Sequence, residues 1–138
     1  MKKVILFTFI AIAVQLSGIA GLFLSVRASD DMYAYSFYCA NSYGYTAAKN
    51  KLTGMRVYIH PIEGPTMKYT VQGKNGSTWY NRSGSYVIYN GTKASITNTV
   101  YANNDSKVRV KFQPVSTAYA TASGYWHPDP SHTYTIFN

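Results

Sequence analysis

From residue 33 onward, apolar and polar positions alternate in short bursts instead of recurring every three to four residues. Period-two alternation predicts half-buried strands. In 33–40, Tyr33, Tyr35, Phe37 and Cys39 share one face, with the smaller Ala34, Ser36 and Ala40 opposite. In 55–60, Met55, Val57 and Ile59 point one way and Arg56, Tyr58 and His60 the other. In 66–72, Met67, Tyr69 and Val71 face inward. The short link around Pro61, Gly64 and Pro65 predicts an antiparallel hairpin between these two strands. Residues 73–76 read as a turn, because Asn-Gly tolerates positive φ.

Three short aromatic or β-branched segments follow at 77–80, 85–89 and 94–101, separated by breaks at 81–84 and 90–91. The clearest alternation is 107–112, with Val108, Val110 and Phe112 on one side and Lys107, Arg109 and Lys111 on the other. A long strand over 117–126 ends at His127-Pro128, and the tail 133–137 offers an edge strand. No segment carries a helical period of useful length. The expected fold class is therefore all-β: an antiparallel β-sandwich, or a small barrel, of six to eight strands.

The leader changes the picture. Lys2 and Lys3 precede an apolar run over 4–26, and Val26-Arg27-Ala28 places small residues where a signal peptidase reads. This predicts an N-terminal signal helix and signal peptide over 1–28, and a single secreted domain over 29–138. An uncut leader, long enough to span a bilayer, is the alternative; the Val-Arg-Ala exit favours cleavage. Fourteen Tyr, and Leu52 as the sole Leu beyond the leader, agree with strands over helices. The lone Cys39 has no partner for an intrachain disulfide, and its inward position predicts a buried thiol.

Charge then narrows the function classes. The net charge of +8 falls to +5 once Lys2, Lys3 and Arg27 leave. With period-two packing, Lys107, Arg109 and Lys111 form an outward row, and Arg56 and Lys68 face outward on their own strands. These five residues are the candidate ligand-binding set. A cationic, Tyr-studded sheet suits an anionic cell-wall polymer or lipid head group. Export and the lack of a dense basic run argue against nucleic acid. Tyr80, Tyr89, Tyr101, Trp79 and Trp126 offer a sugar-stacking face or, equally, cross-strand pairs.

Catalytic chemistry is thinly supplied. Beyond the leader the acids are Asp30, Asp31, Glu63, Asp105 and Asp129, and no Gly-x-Ser-x-Gly elbow frames a serine. His127, Asp129 and His132 are weak metal candidates, two imidazoles and a carboxylate within six residues. The stiff, proline-flanked segment reads more simply as a solvated turn. No cofactor is expected.

Three features together carry a resemblance: the leader, the aromatic Tyr35-Ser36-Phe37, and Thr121-Ala122-Ser123-Gly124-Tyr125-Trp126 followed by Asp129. The chain resembles an uncharacterised family of small secreted Gram-positive proteins with a domain of unknown function. Members usually pass from Gly-Tyr-Trp into acidic residues, whereas His127-Pro128 intervenes here. The resemblance carries no functional residue with it. More loosely, the layout is similar to lactococcin-type bacteriocins, which are exported, cationic, aromatic-rich β-sandwich peptides that interfere with cell-wall synthesis. The leading expectation is a non-enzymatic secreted protein acting at the bacterial surface, with a bacteriocin-like antimicrobial as its sharpest form. The alternatives are a structural or interaction protein pairing through sheet edges, including as a homo-oligomer, and a metal-dependent enzyme.

Overall fold

The computed structural model describes residues 32–138. The signal helix and the boundary between 28 and 29 lie outside the described residues. Nine strands follow in order: β1 (Tyr33–Ala40), β2 (Gly44–Tyr45), β3 (Val57–Glu63), β4 (Met67–Asn75), β5 (Thr78–Ile88), β6 (Ala94–Ile96), β7 (Lys107–Pro114), β8 (Tyr119–His127) and β9 (Thr135–Phe137). They form a five-stranded sheet, β1-β8-β3-β6-β9, and a four-stranded sheet, β2-β7-β4-β5. The two pack face to face as a β-sandwich. Apart from β2, a two-residue strand the alternation does not reveal, eight strands remain, within the expected six to eight. All pairings are antiparallel except β6 with β9, which run parallel.

Period two sets which way each strand faces. Val108, Val110 and Phe112 of β7 are buried, as are Met67, Tyr69 and Val71 of β4. Burying one such side chain contributes about 1.5–3 kcal/mol. Turning β7 over would expose three of them and bury three cations, so its orientation is strongly fixed. From the other layer, Tyr35, Cys39, Ile59 and Trp126 meet them. Phe112 sits at the junction, with ring centroids 5.2 Å from Tyr35 and 5.4 Å from Phe37. The Tyr35 and Tyr69 hydroxyls hydrogen-bond each other across the core at 3.3 Å. Burial raises both pKa values, that of Tyr69 to about 12. Cys39 is a buried thiol, and burial pushes its pKa up.

Four expectations need correction. β3 and β4 are not a hairpin: β3 pairs with β6 and β8, β4 with β5 and β7, so the segment around Gly64 carries the chain from one layer to the other. Gly64 makes that turn at φ 113°, with its Cα side against Ala122. The segments 77–80 and 85–89 are one strand, β5. Residues 81–84 do not break it; the register shifts between Thr70 and Gln72 instead, a β-bulge that absorbs the irregularity. The turn expected at 73–76 begins later, because β4 continues to Asn75 and Gly76, at φ 60°, turns the chain into Thr78. Finally, Tyr58 is buried on the outer face of its strand, because the C-terminal segment lies across it. The Tyr134 ring packs tilted against Tyr58 with centroids 4.9 Å apart, and the Tyr134 amide donates to Ser95 Oγ at 2.8 Å.

Candidate functional site

The outer face of the four-stranded sheet gathers five of the ten lysines and arginines among the described residues. Neighbouring register positions put Lys68 beside Gln113, Thr70 beside Lys111, Gln72 beside Arg109, and Lys74 beside Lys107. Outward positions therefore hold Lys68, Lys74, Lys107, Arg109 and Lys111 on two adjacent strands. The four strands of this sheet contain no Asp or Glu. The ion pairs among the described residues, Lys51–Asp129 and Arg82–Asp105, involve none of these five cations.

Arg109 is the centre of the face. Its guanidinium carbon lies 3.8 Å from the Tyr45 ring centroid and 4.0 Å from that of Trp79, so the planar cation is held between two rings. Its Nε donates to Gln72 Oε1 at 2.9 Å, and Gln72 Nε2 donates to Asn81 Oδ1 at 2.9 Å. This relay runs straight across β7, β4 and β5. Partial burial pulls the Arg109 pKa down, and the Tyr45 ring opposes that. A guanidinium still stays charged at any ordinary pH. Lys111 Nζ sits 3.9 Å over the Tyr43 ring, Lys74 Nζ 6.0 Å from Trp79, and Lys107 Nζ donates to Asn50 Oδ1 at 2.7 Å. Rings order Lys74, Arg109 and Lys111 and an amide oxygen orders Lys107, with no carboxylate among them, so their charge remains available to an incoming anion.

Of the five residues nominated by the sequence, the structure brings together Lys68, Lys107, Arg109 and Lys111. Arg56 does not join them. It precedes β3 on the other sheet and its Nε donates to Thr97 Oγ1 at 3.0 Å. Met55, expected inward, lies before the strand and is exposed. Lys74 was absent from the nominated set because the turn signal at 73–76 masked the continuation of β4. Trp126 belongs to no sugar-stacking face: it is 1% exposed, inside the core.

The trio His127, Asp129 and His132 forms no metal centre. Asp129 Oδ1 accepts from Lys51 Nζ at 2.5 Å, Thr53 N at 3.0 Å and Thr53 Oγ1 at 2.7 Å, while Oδ2 accepts from Leu52 N at 2.8 Å. His127 Nδ1 accepts from the Asp129 amide at 2.9 Å, and His132 Nδ1 is bonded to the neighbouring Ser131 hydroxyl. Among the described residues no three His, Cys, Asp or Glu converge to hold an ion. Burial pushes the Asp129 carboxyl up, but the bonds from Lys51, Thr53 and Leu52 outweigh it and hold the group below the ordinary carboxyl range. Asp129 is a clamp: it ties the 51–53 loop to the end of β8.

The fold and this face define a small two-layer β-sandwich with one cationic, aromatic-ordered outer surface. The chain belongs to the family described as "Protein of unknown function (DUF2712)", whose model matches residues 24–130. No curated protein matches. Among solved structures, the chain is similar to one titled "Crystal structure of PirA", at 12% identity and a TM-score of 0.49, covering 72% of this chain and 95% of that one.

Proposed function

We propose that this protein is an exported, non-enzymatic β-sandwich that binds an anionic component of the bacterial envelope through the outer face of its four-stranded sheet. The observation that carries the reading is the set of five cations on that face, with no acidic residue on its four strands. An anionic polymer laid across β4 and β7 would meet Lys107, Arg109 and Lys111 about 7 Å apart along β7, flanked on β4 by Lys74 and Lys68 about 20 Å apart. A bacteriocin-like antimicrobial is the sharpest form of the reading.

The purified domain, mixed with wall polymer fractions or vesicles of anionic lipid, is expected to bind at low salt. Binding should weaken strongly between 50 mM and 500 mM salt, as screening shortens the reach of surface charge. Equal retention on neutral vesicles, or binding indifferent to salt, would overturn the reading. A clearing zone on a Gram-positive lawn would support the antimicrobial form.

A second reading has an observation of its own. β5 is an edge strand of 11 residues, paired on one side only, and β1 is the corresponding edge of the other sheet. Such edges invite pairing with another copy. Sizing of the protein at several concentrations tests it, a dimer being expected if the edges pair.

A further inference from the structure

Beside the basic face lies a concavity that the reading above does not use. It has a volume of about 430 Å³ and is lined by Tyr33, Lys49, Asn50, Leu52, Thr53, His127, Pro128 and Asp129. That is room for a body the size of one or two sugar rings. The backbone of Lys49 pairs with Val108 of β7, which fixes where its side chain starts. Its Nζ rests 4.3 Å over the Tyr33 ring, and Tyr33 stacks on His127 with centroids 5.6 Å apart and planes 13° apart. Lys49 has no carboxylate partner among the described ion pairs.

The one carboxylate in the wall is already answered. Asp129 is paired with the Lys51 ammonium, which also donates to the Pro128 and Met55 carbonyls at 2.7 Å each. The cavity thus keeps the positive charge of Lys49 with no net negative charge to cancel it. At its rim, Asn50 Oδ1 takes the Lys107 ammonium, which leaves the Asn50 amide hydrogens as donors. The His127 ring accepts at Nδ1, so its proton sits on Nε2. The Tyr33 ring, Leu52 and Pro128 supply apolar wall.

We infer that this pocket binds a phosphorylated sugar or polyol, with the phosphate between Lys49 and the Lys107–Asn50 pair. Two ammoniums match a dianionic phosphate better than a single carboxylate charge. The source is either a free sugar phosphate or the end of a polyol-phosphate polymer. In the second case the pocket would anchor the end of a chain whose body crosses the basic face, so that version rests on the proposed function and the first does not.

Isothermal titration with glucose 6-phosphate, glucuronate and glucose tests the chemistry. Glucose 6-phosphate is expected to saturate one site at least 10-fold more tightly than glucose and several-fold more tightly than glucuronate. Lys49→Gln should weaken it about 10-fold and Asn50→Asp by a similar factor, the latter through repulsion while keeping a partner for Lys107. Lys93→Gln, whose Nζ lies 5.9 Å from the Tyr134 ring on the other sheet, should leave it unchanged. Circular dichroism on each variant verifies that the fold is intact. A poly(glycerol phosphate) chain arm separates the sources: tighter binding than glycerol 3-phosphate indicates the polymer end, and equal binding the free monomer. Equal affinity for glucose and glucose 6-phosphate, no saturable site, or an undiminished Lys49→Gln would overturn the inference. Loss of salt-sensitive envelope binding with the pocket still titrating would instead sink the proposed function alone.

Discussion

At the scale of single residues, the Ser123-Gly124-Tyr125-Trp126 stretch shows why a sequence signature can be structural. Gly124 lies in β8 between Tyr35 of β1 and Pro61 of β3. A Cβ there would collide with the His60 carbonyl oxygen and sit 2.7 Å from Tyr35 Oη. Neither neighbour can retreat freely. The carbonyl is backbone, and the Tyr35 hydroxyl is held against Tyr69 in the core. Gly124→Ala is expected to destabilise the domain by about 2–4 kcal/mol, on the scale of overpacking with strain. Urea denaturation measures it; a midpoint unchanged from the parent would contradict the close approach. The glycine itself was readable in the sequence. The reason for it was not, since it depends on which ring crosses the sheet at that point.

The elements divide into those whose faces period two settles and those whose partners it does not. β1 and β7 are legible because alternation reports burial directly, and in β4 it gives the inward face although Thr70 and Gln72 opposite are buried too. The partner of β3 was not legible. Pro61, Gly64 and Pro65 make a tight reversal and a crossover between layers look alike in sequence, and only the pairing of β3 with β8 distinguishes them. β5 was split in two because Asn81, Arg82, Ser83 and Gly84 have turn composition, while in the structure Ser83 Oγ accepts from Val71 N at 2.8 Å and Arg82 makes a two-point bond to Asp105. Side chains there replace ladder bonds that the bulge removes. The Asp129 clamp is also an element-scale device, since it joins a loop to the end of β8 across 76–78 residues of sequence.

That clamp has a pH dependence with a definite sign. The folded carboxyl of Asp129 has its pKa depressed by its donors. Its stabilisation is therefore complete above the unfolded value of about 4 and is lost as pH falls through the folded value. Thermal melts are expected to hold level from pH 7 to 5 and to decline below about 4. Asp129→Asn, which leaves the Lys51 ammonium buried without a counter-charge, should cost about 3 kcal/mol at pH 7. It should also flatten the acid limb of the profile. A variant that loses stability yet keeps the full acid decline would place that decline on another carboxyl.

At the scale of the whole molecule, the two layers differ in charge. The four-stranded sheet carries five lysines and arginines on its outer face. The outward positions of β1 and β8 on the other sheet, including Ala34, Ser36, Tyr38, Tyr119, Thr121, Ser123 and Tyr125, carry none. Alternation implies that each cation points out. It did not tell which layer each strand joins, and Arg56 was misplaced for that reason. The asymmetry makes a prediction that a uniformly basic protein would fail. Neutralising Lys68 and Lys111 together (Lys68→Gln, Lys111→Gln) should lower affinity for an anionic envelope polymer at least 10-fold and shallow its salt dependence, because two cations leave the proposed binding face. Neutralising Arg56→Gln changes net charge in the same direction, by half as much, on the other side of the sandwich, and should leave affinity within twofold. Arg109→Ala should act like the double variant despite removing one charge, since it also releases Tyr45 and Trp79 from their stack on either side of the guanidinium. Arg109→Lys, which keeps the charge but not the flat stack, should fall between. Equal losses from Arg56 and from Lys68 with Lys111, read in the same binding assay, would mean that net charge and not the sorted face governs association.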